Sequence, residues 1–166
     1  MAGEAHSAAA DAAVALERAM PMVVRWFTRS EVKRAMRGDA VPNLSWTDAW
    51  LLGRISDTGP VRLSELAAWQ EVDRSTITTQ VRRLEDLGLV DRHADPRDGR
   101  AVLVRANRAG MARHRRTKQT ARQLYERLLA DWSEQDLQAA AHVARRLTET
   151  FDRPQVIPPQ EDAATQ

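Results

Sequence analysis

Residues 63–105 carry the pattern that most restricts the fold. Leu66 and Ala67 mark the inner face of a short helix from Glu65 to about Gln70, which Ser64 can cap. Glu71-Val72-Asp73 reads as a tight turn, and Asp73 or Arg74-Ser75 starts a second helix running to Leu87. Gly88 is the residue best suited to the left-handed position that closes it. On a helical wheel Ile77, Val81 and Leu84 fall within about 40° of one another and form a buried back. Ser75, Thr79, Arg82 and, near the C-terminal end, Asp86 lie opposite, flanked by Thr76, Thr78 and Arg83.

Two β-rich runs follow, Leu89-Val90-Asp91-Arg92 and Ala101-Val102-Leu103-Val104-Arg105. The seven residues Ala94-Asp95-Pro96-Arg97-Asp98-Gly99-Arg100 between them exceed a two-residue turn, so a projecting hairpin is expected. A helix pair followed by a basic hairpin is a winged helix-turn-helix. Its second helix offers short hydroxyls and arginines to a major groove, where Arg reads guanine or clamps phosphate. Arg97 and Arg100 at the wing tip suit a minor groove or the backbone. Asp98 can pair with Arg100 and stiffen the tip, leaving Arg97 to reach outward. The candidate DNA-binding residues are therefore Ser75, Thr76, Thr78, Thr79, Arg82, Arg83, Arg97 and Arg100.

The expected class is mainly α with a small β-hairpin wing. Upstream, Ser7 can cap a helix through Ala8–Met20, and Pro21 is expected to kink or restart it. A further run from Met22 to about Met36 puts Val23, Val24 and Phe27 on one face, and Gly38 ends it. Asn43-Leu44-Ser45 opens the next helix, with Ser45 and Asp48 spaced as a capping box and Trp50, Leu51 and Ile55 as its buried stripe. Asn107 caps a long helix from Arg108 to Leu129. Ser133 and Asp136 open the last one, which ends near Phe151 and carries the stripe Leu137, Ala141, Ala144, Leu147 and Phe151. Prolines 154, 158 and 159 mark a polar tail.

The chain resembles the multiple-antibiotic-resistance-regulator (MarR) family of bacterial winged-helix transcription factors over residues 44–110. The stretches that carry the likeness are Leu44-Ser45, the run Gly59 to Ala67, and Ser75-Thr76-Ile77-Thr78. It continues through Leu84-Glu85-Asp86-Leu87-Gly88-Leu89-Val90-Asp91-Arg92 and the wing Asp95-Pro96-Arg97-Asp98-Gly99-Arg100. The family usually has Leu-Thr and then Gly after the wing; here Ala106-Asn107 precedes Gly110, and Asn caps as well as Thr.

The resemblance implies a homodimer with intertwined N- and C-terminal helices. The division that follows is 1–43 and 108–152 for dimerisation, 44–107 for DNA binding and 153–166 as a flexible tail. The Leu137, Ala141, Ala144, Leu147, Phe151 stripe is the candidate dimer contact, since small residues allow a partner helix close. It further implies a sequence-specific regulator, a repressor in most such proteins, on a pseudo-palindromic double-stranded DNA site with half-sites about 10 bp apart. Family members often release DNA when a small aromatic anion binds. Trp26, Trp46 and Trp50 are the candidate wall for such a phenolic effector, with core packing as the plain alternative.

Composition narrows the rest. With 25 cations, 23 anions and no cysteine, thiol sensing and thiolate metal sites are excluded. The four histidines have no ligand spacing, so neither metal nor cofactor is expected, and no catalytic set appears. Acidic ends flank a centre carrying +8, and residues 105–127 alone carry +7. Residues 74–100 sum to only +1, which keeps open a winged helix that docks a protein instead of DNA. Most of the basic run is expected to pair with the acidic last helix, with Arg105 and Arg108 on phosphate. Without an apolar span or signal sequence, a soluble cytoplasmic protein is expected, nucleoid-associated when bound to DNA.

Overall fold

The first helix, α1, runs from Ala2 to Thr28 in a computed structural model that describes residues 2–37 and 44–151. Side chains are described from residue 10 onward, except at 99 and 100. The expected helix end at Gly38, the Asn43 start, the Arg100 side chain and the proline tail lie outside the described residues. Helix α1 runs through Pro21 without a restart, and Ser7 lies inside it instead of capping it, correcting those two expectations. Proline removes one backbone donor, and the helix formers Ala19, Met20 and Met22 around it keep the rest of the ladder. The break falls at Arg29, whose amide donates to the Trp26 carbonyl at 3.2 Å. Helix α2 (Ser30–Arg37) follows and buries Val32.

Helix α3 (Trp46–Thr58) starts where the spacing predicts. The Ser45 hydroxyl accepts from the Asp48 amide (3.0 Å), and the Asp48 carboxylate accepts from the Ser45 amide (3.1 Å). Gly59, at φ 85°, ends it. Its buried stripe is Leu51, Leu52 and Ile55; Trp50 is 52% exposed, a correction to the sequence reading. One residue along a helix turns the side chain about 100°, enough to carry Trp50 off the core face.

Strand β1 (Val61–Arg62) leads directly into α4 (Leu63–Gln70). This helix begins two residues earlier than Ser64 would allow as a cap; Arg62 holds the N-cap position, and its amide bonds the Glu65 carboxylate at 3.4 Å. Helix α5 (Arg74–Asp86) is capped by Asp73 and closed by Gly88 at φ 67°. Strands β2 (Val90–Asp95) and β3 (Asp98–Ala106) then form the hairpin. The strands reach further into the tip than their composition suggests. Asp95 pairs with Asp98, so the turn is just Pro96-Arg97, with an irregularity at Ala94/Asp95. The sheet order is β1-β3-β2, all antiparallel.

The core sits between α3, α4, α5 and the sheet. Leu51, Ile55, Leu66, Ile77, Val81, Leu84 and Val104 are each fully buried. Each such side chain contributes about 1.5–3 kcal/mol of transfer free energy. Helix α6 (Arg108–Leu128) is capped by Asn107, whose Oδ1 accepts from the Gly110 amide at 3.0 Å. Asn107 also donates to the Gly88 carbonyl (3.0 Å) and Asp91 (3.2 Å), tying the helix start to the end of α5. Gly110 allows this approach: a Cβ there would sit 2.0 Å from the Leu89 carbonyl oxygen.

The chain divides into two compact units, Met1–Leu124 and Tyr125–Gln166. In the second, Ser133 caps α7 (Glu134–Phe151) by accepting from the Asp136 amide at 3.1 Å. None of the described residues of α7 is buried; Phe151 is 63% and Leu137 37% exposed.

Candidate nucleic-acid interface

The interface is built from the N-terminal turns of α5. Asp73 organises them: its carboxylate accepts from the Thr76 amide (2.8 Å), the Thr76 hydroxyl (2.7 Å) and the Ser75 hydroxyl. The Ser75 hydroxyl, with the Thr76 amide and hydroxyl behind it, holds that carboxyl far below the usual carboxylate range. With Ile77, Val81 and Leu84 turned inward, Ser75, Thr79 and Arg82 are exposed on the outer face, as the wheel predicts. Thr76 and Thr78 are half-buried beside them. The Thr78 and Thr79 hydroxyls donate to the Arg74 (2.6 Å) and Ser75 (3.0 Å) carbonyls, leaving their lone pairs outward.

Arg83 has a partner that spacing did not reveal. Its Nη1 lies 3.4 Å from Oδ2 of Asp48, a carboxylate only 1% exposed on α3. Asp48 thus takes part in the cap of its own helix and meets α5, across 35 residues of sequence.

At the wing, Arg97 is exposed at the two-residue tip. Its amide donates to Asp95 Oδ1 at 2.8 Å. Arg62 Nε and Nη2 donate to Asp95 Oδ2 at 2.8 and 2.6 Å. The Arg97 amide first, and the Arg62 guanidinium second, hold the Asp95 carboxyl below its ordinary value. Arg62 carried no signal in the sequence, since its partner is 33 positions away.

A pocket of about 330 Å³ lies in the same unit between α3, α4 and α6. Trp46 and Trp50 line it, with Trp69, Arg54, Asp57, His114 and Lys118. Trp26 does not line it; its ring meets Phe27 edge-on at 4.9 Å. Trp50 and Trp69 meet at a tilt of 38° with centroids 4.3 Å apart, and the Arg54 guanidinium sits 5.3 Å from the Trp69 ring centroid. Asp57 Oδ1 accepts from Lys118 Nζ at 2.9 Å and lies 3.1 Å from His114 Nε2. Burial would push the Asp57 carboxyl up, but Lys118 and His114 together bring it below its ordinary value. His114 and Lys118 of the basic run on α6 therefore meet α3 inside one unit.

The MarR family model matches residues 44–102, from the start of α3 into β3. The HTH-type transcriptional regulator YxaD of Bacillus subtilis (strain 168) is 31% identical over 109 residues, 66% of this chain and 76% of that protein. The chain belongs to the MarR family. It is accordingly a DNA-binding transcription regulator and not an enzyme. A second relative of the MarR-family chain is the HTH-type transcriptional repressor IacR of Pseudomonas putida. It is 31% identical over 93 residues, 56% of this chain and 54% of that one. Among solved structures, Streptococcus pneumoniae FabT in complex with DNA shares the fold, with a TM-score of 0.69 at 20% identity, covering 81% of this chain and 96% of that one. Among the described residues of this MarR-family protein, no cluster of His, Cys, Asp or Glu is suited to a metal. No described helix is long and apolar enough to cross a membrane.

Proposed function

We propose that the protein is a homodimeric repressor that occupies a pseudo-palindromic operator. Helix α5 enters the major groove by its N-terminal turns, with Ser75, Thr76, Thr78, Thr79 and Arg82 toward the bases and phosphates. Arg97, with Arg100 beside it in the chain, serves the minor groove or its backbone. Arg83 acts here as a brace to Asp48 more than as a base contact. The observation that carries the reading is the exposed hydroxyl and guanidinium face of α5, backed by three fully buried side chains and followed at once by a wing with Arg97 outward. The neighbour FabT, seen on DNA, supports the same use of the fold.

Dimerisation is read from α7, an amphipathic helix without a buried residue. A second copy covers Leu137, Ala141, Ala144, Leu147 and Phe151. The tryptophan-lined pocket receives a small aromatic anion, stacked on Trp50 and Trp69 and charge-paired to Arg54 or Lys118. Such a ligand releases DNA only if it prefers the non-binding dimer.

A duplex selected from random sequence tests the interface by electrophoretic shift. Thr79→Ala and Arg82→Ala each weaken specific binding by about 1–3 kcal/mol, while Arg97→Ala weakens selected and random DNA alike. Unchanged affinity in all three overturns the assignment. A thermal-shift screen of aromatic carboxylic acids tests the pocket, since a ligand of the folded state raises the melting temperature. Loss of that rise in Trp50→Ala marks the site.

A further inference from the structure

The hairpin presents a mechanical problem. Strand β1 pairs with β3 at Val61–Val104 and Arg62–Leu103 and then stops. Beyond Leu103, among the described residues, the hairpin is paired to itself alone, through Ala94–Val102 and Asp95–Asp98. A two-stranded ribbon without a third strand is marginally stable and free to twist. A wing tip with that freedom would pay an ordering cost at each encounter with DNA.

Arg62 stands where the support ends. It is the last residue of β1, its amide helps start α4, and its side chain runs on toward the tip where the strand's backbone leaves off. Both of its bonds go to one oxygen of Asp95, and the other oxygen holds the Arg97 amide. Asp95 is 6% exposed, so this carboxylate is shielded from water that would compete for it. One residue thereby connects the first helix of the helix-turn-helix, the sheet and the tip.

We propose that Arg62 is the positioning residue of the wing, carrying the rigidity of the helix-turn-helix through Asp95 to the hairpin tip and pre-orienting Arg97 for the DNA backbone. The proposal rests on the reading that Arg97 contacts DNA. It assigns Arg62 no contact with DNA of its own.

A double-mutant cycle separates these roles. Fluorescence anisotropy on a mixed-sequence duplex of about 30 bp, over a series of salt concentrations, is measured for R62A, R97A and R62A/R97A. R97A is expected to lose about tenfold in affinity and to lower the salt slope by about 0.9. R62A is expected to reproduce most of that loss, and the double variant to bind no more weakly than R97A. Arg62→Lys, which keeps the charge but not the two-donor fork, recovers little. Asp95→Asn, which keeps an acceptor for the Arg97 amide, weakens binding as R62A does and shows the same non-additivity. It serves as the second arm should R62A unfold, a point that melting temperatures decide.

Additive losses in R62A/R97A, or full recovery in R62K, identify Arg62 as a direct phosphate contact and overturn the positioning role. Wild-type affinity in R62A and D95N overturns it as well. Wild-type affinity in R97A overturns the reading of the wing itself, and with it this proposal. The R97A arm alone tells that failure from the others.

Discussion

Helices α5 and α7 are built on similar amphipathic plans and are used differently. Helix α5 buries Ile77, Val81 and Leu84 completely, and its polar face is left for a groove. Helix α7 carries a stripe of comparable regularity and buries none of it. One chain provides the complement to the first stripe. The second has none among the described residues of its own compact unit. An apolar periodicity therefore states that a face will be covered, without saying by which chain.

The largest effects should come from the α5 side. Leu84→Ala removes a fully buried side chain and should cost about 2–5 kcal/mol, seen in chemical denaturation. Gly110→Ala should cost about 3 kcal/mol or more, because the added methyl meets the Leu89 carbonyl and not a flexible side chain. A loss under about 1 kcal/mol at both sites would show a lobe far looser than its burial indicates.

On the α7 side, Ala144→Asp should leave the winged lobe folded and convert a two-chain species to a one-chain species in analytical ultracentrifugation. The melting temperature of the variant should also cease to depend on protein concentration. An unchanged dimer would remove the contrast between the helices. Leu137→Ala should weaken association in the same direction, by a smaller amount.

The smallest effect is in acid. Asp73, Asp95 and Asp57 all titrate below the ordinary value of 3.8 in the folded chain. The unfolded chain then binds more protons at low pH, so stability rises with pH through this range. Their contribution is complete above about pH 5 and is lost as pH falls below about 4 and through the folded values. Melting temperature against pH should show this slope, and Asp73→Asn should flatten part of it without affecting association through α7.

Local chemistry was legible where its parts are near in sequence. The Ser45–Asp48 box, the Asp73 cap, the Asn107 cap and the Ile77, Val81, Leu84 back depend on spacings of three or four residues and appear as expected. The hydrophobicity of Trp50 predicts an inward side chain, and the helix phase puts Leu52 there instead. Pro21 does not restart α1, since a long helix tolerates the loss of a single donor. The Pro/Asp/Gly-rich stretch 94–100 predicts a long connection; the Asp95–Asp98 pairing across the hairpin shortens it to Pro96-Arg97.

The chain's own order of residues determined the helix caps, the inward faces, the winged helix-turn-helix and the candidate DNA-reading residues. All of these follow from backbone geometry acting over a few positions. The tertiary structure decided which charges meet. Arg62 finds Asp95 across 33 residues, Arg83 finds Asp48 across 35, and Asp57 gathers His114 and Lys118 across 57 and 61. Such pairings depend on how elements stack, because a charge has no periodicity to reveal its partner. The same stacking brings Trp46, Trp50 and Trp69 together along one pocket.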